Sequence, residues 1–237
     1  MEKPQKNKKI NKGQQTLESM SYAKVYNQWL LVKFQKYLSG QILEVGCGIG
    51  NFTKLISSFG QVTAVDIEPD YIKQTKKKVQ EAHVGLGDIE KGKLFFKDKK
   101  FDSIVCLNVL EHIKDDGKAI SNIVQLLKPD GVLVLLVPSH QFLYGEIDRS
   151  IGHHRRYDKE KINKVLFTKG LQVVFSERIN FLGAIGWFVS GRVLKNPIVG
   201  KKKIKLFNLV APIGLLIEKF YEPILGTSIL VIAKKKS

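Results

Sequence analysis

Residues 42–50 read Ile-Leu-Glu-Val-Gly-Cys-Gly-Ile-Gly, an apolar run that passes into three alternating glycines. The apolar part is typical of a short strand covered on both faces of a parallel sheet. The glycines lack a Cβ, so the turn can adopt positive φ angles and its backbone can approach a ligand closely. A helix is predicted to begin at Asn51, with its free N–H groups facing the turn. The stretch therefore predicts a strand, a ligand-binding turn and a helix.

The spacing of the glycines separates this turn from two nucleotide-binding motifs. The dinucleotide fingerprint needs its third glycine at position 51, where this chain has Asn51. A P-loop needs Gly-Lys followed by Ser or Thr, and Thr53 followed by Lys54 does not supply that order. The remaining pattern is an acidic residue, Glu44, followed by G-x-G-x-G.

Polar residues stand at the ends of the next predicted strands. Asp66, Asp88 and Asn108 each lie at or just after such an end. Alternating strands and helices predict a doubly wound parallel sheet, whose ligands bind beyond the carboxyl ends of the strands. A carboxylate at the position of Asp66 is suited to accept both hydroxyls of a ribose. We therefore expect a nucleoside-binding edge on this sheet.

The chain is strongly basic, with a formal charge of +17. Such a field attracts anionic membranes or nucleic acids, although a solvated, lysine-rich surface explains it equally well. Cys47 and Cys106 have no zinc-type spacing, and the N-terminus has no apolar signal segment. We expect a cytoplasmic protein in a reducing compartment, with attachment to the inner face of a membrane as an open alternative.

The domain organisation is predicted from where apolar periodicity begins and is interrupted. Residues 1–20 are basic and lack periodicity, so we expect a disordered tail followed by one domain over residues 21–237. Residues 180–226 form an insertion in which two apolar runs flank the lysine cluster at 201–205. Each run is shorter than the ~18 residues that span a bilayer. The insertion is therefore either a buried helical cap or a membrane-facing surface, and Pro212 is expected to kink or break its second run.

The acid and the G-x-G-x-G turn resemble motif I of the class I S-adenosylmethionine (SAM) dependent methyltransferases, including the ubiquinone-pathway O-methyltransferases. Residues 26–30, Tyr-Asn-Gln-Trp-Leu, and 152–157, Gly-His-His-Arg-Arg-Tyr, resemble a bacterial and archaeal subgroup of that family. The resemblance implies an α/β, doubly wound, Rossmann-like sheet of seven strands. Its order is 3-2-1-4-5-7-6 with strand 7 antiparallel, and the helical insertion lies between strands 6 and 7.

The resemblance also implies SAM as the cofactor. The residues that it assigns to cofactor binding are the strand ends and their neighbours: Glu44, Gly46, Cys47, Gly48, Gly50, Asp66, Ile67, Gly87, Asp88, Ile89, Asn108 and Val109.

The segment after the fourth strand departs from the similar ubiquinone-pathway enzymes. Those enzymes read Glu-x-x-Glu-His here, with acids that are associated with a divalent metal. In this chain Asn108 takes the first position, which leaves Glu111 and His112. Because two ligands are a poor site for a hard cation, we expect no obligatory metal.

A hydroxyl or enol acceptor must lose a proton, commonly to a histidine. The candidate bases are His112, His153 and His154, with Asp148 as an orienting carboxylate, and a structural hydrogen bond is an equal alternative for each histidine. The residues expected to contact the acceptor are Tyr22, Tyr26, Tyr144, Arg155, Arg156 and Tyr157.

Three functions are compatible with these observations. The first is O- or C-methylation of a small molecule, of a lipid-like or otherwise apolar kind. The second is RNA methylation, which the basic charge favours. However, residues 108–111 do not form the Asn/Asp-Pro-Pro-aromatic segment that holds an exocyclic amine, so we do not expect a nucleic-acid partner. The third is a non-catalytic SAM-fold module that binds membranes through the insertion.

Overall fold

The computed structural model describes residues 12–198 and 200–236. Within these ranges one mixed sheet contains eight strands. The strands are β1 (Gln41–Val45), β2 (Gln61–Asp66), β3 (His83–Asp88), β4 (Lys93–Leu94), β5 (Phe101–Leu107), β6 (Leu127–Pro138), β7 (Leu171–Ile179) and β8 (Ser228–Lys235).

Helices cover both faces of this sheet and build the insertion. They are α1 (Lys12–Met20), α2 (Lys24–Phe34), α3 (Thr53–Ile56), α4 (Pro69–Lys78), α5 (Asp116–Leu126), α6 (Glu146–Ile151), α7 (Lys159–Thr168), α8 (Phe181–Trp187) and α9 (Lys201–Ile217).

The predicted strand order is confirmed. The sheet runs β4-β3-β2-β1-β5-β6-β8-β7, and β8 is antiparallel to both of its neighbours. The two-residue edge strand β4 was not predicted, because it is too short to show any alternation of side chains. At the centre, Val45 of β1 is in register with Val65 on one side and Cys106 on the other. This register brings the carboxyl ends of the central strands to one edge.

Two apolar layers hold the sheet between its helices. One layer packs α5 and α7 against the sheet through residues such as Ile120, Ile123 and Leu166. The other packs α2 and α9 against the opposite face through Leu30, Phe34 and Leu215, among others. The central strands are therefore buried on both faces, as their uninterrupted apolar sequences predict.

The N-terminal segment differs from the prediction of a disordered tail over residues 1–20. Residues 12–20 form α1, whereas residues 1–11 lie outside the described ranges. Leu17 of α1 lies over the glycine turn, 3.5 Å from the position that a Cβ on Gly48 would take. The amide of Asn51 donates to the Leu17 carbonyl at 3.3 Å. Tertiary contacts with the turn thus fix a helix that its own weak periodicity does not predict.

The insertion lies between β7 and β8 and is helical, as predicted. However, α9 runs from Lys201 through Pro212 to Ile217 without the expected break. The helix is held at its C-terminal end by Glu218, whose carboxylate accepts the backbone N–H groups of Asn180 and Phe181, both at 2.8 Å. Packing and these two hydrogen bonds therefore maintain the helix on both sides of the proline.

A substitution pair tests how tightly the glycine turn is packed. Gly46 has φ +73° and a Cβ there would overlap Cγ2 of Val109, whereas Gly170 has φ +84° with open space around it. Gly170→Ala should cost only the left-handed backbone strain, about 1–2 kcal/mol. Gly46→Ala should cost about 1–3 kcal/mol more, because the clash adds to the same strain. Urea denaturation of both variants measures the difference, and equal losses would contradict the close approach of Val109.

Candidate active site

The glycine turn is fixed by the tip of β2. Asp66 accepts the Gly48 N–H at 2.8 Å through Oδ2 and the Glu68 N–H at 3.0 Å through Oδ1. Gly46 and Gly48 have positive φ angles of 73° and 53°. The Asp66 carboxylate is thus anchored beside a turn that has no side chains on its ligand-facing backbone. This is the arrangement that a ribose and its neighbouring groups require.

Neighbouring strand ends complete the edge. Ile67 follows Asp66 and is 73% exposed, so its apolar side chain is available to the face of a base. Asp88 at the end of β3 pairs with Lys91 at 2.9 Å. Asn108 stands exposed at the end of β5 with φ +53°. Four adjacent strands therefore present the predicted nucleoside-site residues at one edge, and these residues fit a SAM-like nucleoside.

Two of the predicted cofactor contacts lie within the protein interior. The Ile89 side chain is buried in the core. A Cβ on Gly87 would meet Val65 and Leu94, so this glycine is needed for strand packing. Both residues therefore contribute to the packing of the core beneath the edge.

Buried ionisable groups lie under the turn. Glu44 is 4% exposed and accepts a hydrogen bond from the Thr53 hydroxyl. Burial, with a smaller contribution from the charge of Asp66, raises the pKa of Glu44 to about 8. Burial also raises the pKa of the Cys47 and Cys106 thiols far above the usual value. Neither cysteine therefore supplies a thiolate nucleophile.

Asp148 is the centre of a second buried network. Its Oδ1 accepts hydrogen bonds from His153 Nδ1 and Arg156 Nε, both at 2.9 Å. Its Oδ2 accepts the Gly145 N–H at 2.9 Å and the Trp187 indole N–H at 3.0 Å. Burial alone would raise the pKa of Asp148, but the His153 hydrogen bond and the Arg156 charge hold it well below its usual value. Asp148 is therefore a carboxylate that fixes its neighbours.

His153 joins this network to the segment after β5. Because Asp148 is ionised, His153 donates to it from Nδ1, which leaves Nε2 as the ring nitrogen that faces Glu111. That Nε2 lies 3.7 Å from Oε1 of Glu111, and the His153 ring meets the His112 ring edge-on at 4.7 Å between centroids. We call Glu111, His112 and His153 the Glu-His-His cluster.

The sequence indicates Glu111 only as one of two potential metal ligands after the fourth strand, but in the structure it lies at the centre of the Glu-His-His cluster. The side chain is fully buried, and neither carboxylate oxygen has a hydrogen-bond partner within residues 12–198 and 200–236. Burial raises the pKa of Glu111 to about 8. For His112, desolvation and the neighbouring His153 lower the pKa to about 4, so this imidazole is neutral at pH 7. No sequence signal indicates that the two segments meet.

The predicted acceptor contacts divide between this network and other places. Tyr144 donates to the His153 carbonyl at 2.7 Å, and Arg156 is buried against Asp148. Arg155 and Tyr157 both bind the carboxylate of Asp116, at 2.7 and 3.0 Å.

The remaining candidates lie outside the network or at its rim. The His154 side chain is exposed, next to the cluster in sequence. Tyr26 is buried in the core, where its ring meets Phe207 edge-on, and Tyr22 is exposed between α1 and α2. The structure therefore joins His112, His153 and Asp148, but it does not bring all six predicted acceptor contacts together.

The sequence of this chain is similar to those of known proteins. Residues 43–135 match the family model described as a methyltransferase domain. An uncharacterized protein of Methanocaldococcus jannaschii is 29% identical over 184 residues, which cover 75% of this chain and 77% of that protein. A ubiquinone biosynthesis O-methyltransferase of Coxiella burnetii is 32% identical over 120 residues, 45% of this chain and only 50% of that enzyme's length.

The fold is likewise similar to solved structures. A SAM-dependent methyltransferase from Clostridium acetobutylicum superposes with a TM-score of 0.58 at 18% identity, covering 91% of this chain and 92% of that one. At this identity the likeness extends to the fold alone.

The buried Glu44 makes the stability of the chain depend on pH. Folded Glu44 keeps its proton up to about pH 8, whereas the unfolded residue loses it near pH 4.5. Between these values the folded state holds the extra proton, so its stability falls as pH rises, by at most about 1.4 kcal/mol per pH unit. Glu44→Gln cannot titrate. Its free energy of unfolding relative to wild type should therefore increase by at least about 2 kcal/mol from pH 5 to pH 8.

Urea denaturation at several pH values measures this difference. Glu146→Gln at the partly exposed Glu146 controls for removal of a charge. Parallel stability profiles of wild type and Glu44→Gln would show that Glu44 is ionised in the folded state.

Proposed function

We propose that this chain is a class I SAM-dependent methyltransferase and that it methylates an apolar, lipid-like small molecule at the surface of an anionic membrane. The methyl acceptor is an oxygen or carbon atom of that molecule. The observation that carries the proposal is a large exposed apolar surface on the insertion, beside the candidate active site.

Helix α9 is apolar on its outward face as well as on its inward face. Ile204, Ala211 and Leu215 face inward and are buried. The outward residues are between 43% and 76% exposed: Leu206, Leu209, Val210, Ile213, Leu216 and Ile217. A helix that only capped the sheet would turn polar residues to water. The outward face is therefore unsuited to water and suited to an apolar environment.

The exposed apolar residues continue beyond α9 on the neighbouring parts of the insertion. They include Phe181, Ile185, Val193, Leu194, Phe220, Tyr221 and Ile224. Together with the outward residues of α9 we call them the apolar surface. Exposed apolar patches that extend over many neighbouring residues mark interaction sites. Lys205 and Lys219 are exposed on the same segment, and lysines near an anionic bilayer each add on the order of 1 kcal/mol to binding.

None of the helices formed by residues 12–198 and 200–236 has the length and apolar content needed to cross a membrane. The proposal is accordingly for a helix surface that lies in the interface, with its apolar side among the lipid chains.

The apolar surface is connected to the candidate active site. α1 covers the glycine turn and packs against both α9 and α6, the helix that carries Asp148. Trp187 at the end of α8 donates directly to Asp148. Between α2 and α9 an open apolar cleft of about 170 Å³ is lined by Val25, Trp29, Pro212, Leu215, Leu216 and Lys219. We propose this cleft as the place where an apolar acceptor enters from the bilayer.

SAM supplies an electrophilic methyl group on a sulfonium, so the protein mainly has to align the reactants. Asp66 and the glycine turn would hold the nucleoside. The Glu-His-His cluster is at the end of β5, next to the turn, because Val109 packs against Gly46. We propose this cluster as the group of titratable side chains that acts on an acceptor hydroxyl. The name of the Coxiella burnetii relative, a ubiquinone biosynthesis O-methyltransferase, agrees with an oxygen acceptor on a lipid-like molecule.

The cofactor assignment is tested at Asp66. Asp66→Ala removes the carboxylate proposed to accept the ribose hydroxyls and also frees the Gly48 N–H. Calorimetric titration with SAM should show a dissociation constant raised at least tenfold, the loss expected for a charged hydrogen-bonding partner. Glu146→Ala on α6 is the control. If the Asp66→Ala protein is folded and binds SAM as wild type does, the site lies elsewhere.

The membrane contact is tested by sedimentation with vesicles. Wild type should sediment with vesicles containing phosphatidylglycerol at low salt, and much less with neutral phosphatidylcholine or at high salt. Leu209→Asp combined with Ile213→Asp places two charges on the outward face of α9 and should reduce the bound fraction at least fivefold. Phe167→Asp, at a 60% exposed residue of α7, is the matched control and should leave binding unchanged.

All three proteins should bind SAM equally. If wild type remains in the supernatant under every condition, the membrane surface is excluded as the source of the acceptor, and methylation of a soluble small molecule remains.

A further inference from the structure

We infer that Glu111, His112 and His153 form a binding site for one divalent transition-metal ion. This differs from the expectation from sequence, which found only two ligands after the fourth strand. The third ligand, His153, comes from the loop after α6. The role of the ion rests on the proposed function, but its binding does not.

The first observation is the arrangement of the ligand atoms. One nitrogen of each imidazole and one carboxylate oxygen lie within 4.8 Å of one another. The closest measured pair, His153 Nε2 and Glu111 Oε1, is 3.7 Å apart. Ligands at about 2.0–2.2 Å from one ion are about 3–4 Å from each other. Side-chain movements of an ångström or less would therefore complete the site.

The second observation is the unpartnered carboxylate of Glu111. It is fully buried, and among the described residues neither of its oxygens has a hydrogen-bond partner. Burying such a group without compensation costs several kcal/mol if it is charged, and about 1–3 kcal/mol if it is neutral. The charge of Arg156 offsets only part of this cost, because the hydrogen bonds of Arg156 go to Asp148 and to the Ser139 carbonyl. An ion bound between Glu111 and the two imidazoles would.

The third observation is the orientation of His153. Its Nδ1–H is held by Asp148, which is itself fixed by the Gly145 N–H, the Trp187 indole and Arg156. A carboxylate that holds one imidazole nitrogen and so directs the other to an ion is a regular feature of metal sites. Asp148 is thus a positioning residue, and it turns Nε2 of His153 towards Glu111.

The donor set indicates the class of ion. Two imidazoles and one carboxylate suit zinc, manganese, iron or cobalt, whereas magnesium and calcium prefer oxygen ligands throughout. His112 is exposed, so one side of the site is open. An acceptor hydroxyl that occupies the open position would have its pKa lowered by the ion. Its proton leaves to solvent, the oxygen bonds to the methyl carbon, and the carbon–sulfur bond breaks to release S-adenosylhomocysteine.

Cobalt(II) is the probe for the test. Untagged full-length protein is freed of metal with a chelator and titrated with CoCl₂, following visible absorption and equilibrium dialysis. One equivalent should bind, with the absorption bands of a four- or five-coordinate nitrogen–oxygen site. Glu111→Gln and His112→Ala should each weaken binding at least tenfold. His83→Ala, which removes an exposed histidine at the start of β3, should not.

The test uses variants of Glu111 and His112 because His153 is buried, and a His153→Ala protein that fails to fold would give no result. Glu111→Gln preserves side-chain volume and replaces an unpartnered buried carboxyl group with a neutral amide, and His112 is exposed. Glu111→Gln should also keep or raise the melting temperature of the metal-free protein. Binding that is absent from wild type, or equally tight in all variants, would overturn the inference. SAM titration of the same metal-free samples separates the outcomes, because SAM binding without cobalt binding refutes only the metal site.

Discussion

The charged hydrogen bonds of Asp148 hold together parts of the chain that are far apart in sequence. The carboxylate is fully buried, and it binds His153 and Arg156 from the following loop and Trp187 from the insertion. Arg156 extends the network to the carbonyl of Ser139 at the end of β6. Removing one member of a buried charged pair typically costs about 3–5 kcal/mol. The loop, the insertion and the sheet therefore keep one relative position while this network is intact.

This network explains why the candidate chemistry lies where it does. β1, β2 and β5 bring Gly46, Asp66 and Asn108 to one edge by their register alone. The loop after α6 is held by a bridge between Ser139 and Tyr157 and by the hydrogen bond from the His154 N–H to the Glu111 carbonyl at 2.8 Å. Buried polar groups therefore position the loop, and they do so at the end of β5. The nucleoside edge and the Glu-His-His cluster are adjacent because a sheet and a side-chain network meet there.

The sequence predicts the features that depend on local pattern. Apolar runs ending in Val45, Asp66 and Asn108 are sufficient to predict the strands and the edge at which their tips meet, whereas the order of the strands is what the family resemblance implies. The features that depend on contacts between distant segments were not predictable. The α1 helix needs the glycine turn under Leu17, and α9 passes Pro212 because the sheet and Glu218 support it. The approach of His153 to Glu111 has no sequence signal, because no residue pattern beside either position indicates a contact with the other.

The two hydrogen bonds of Glu218 determine how the insertion is attached to the sheet. Its carboxylate is 8% exposed and accepts two backbone N–H groups where β7 passes into α8. The end of α9 is thereby joined directly to the end of the edge strand β7. The orientation of the outward face of α9 relative to the carboxyl-end edge of the sheet therefore depends on one buried carboxylate.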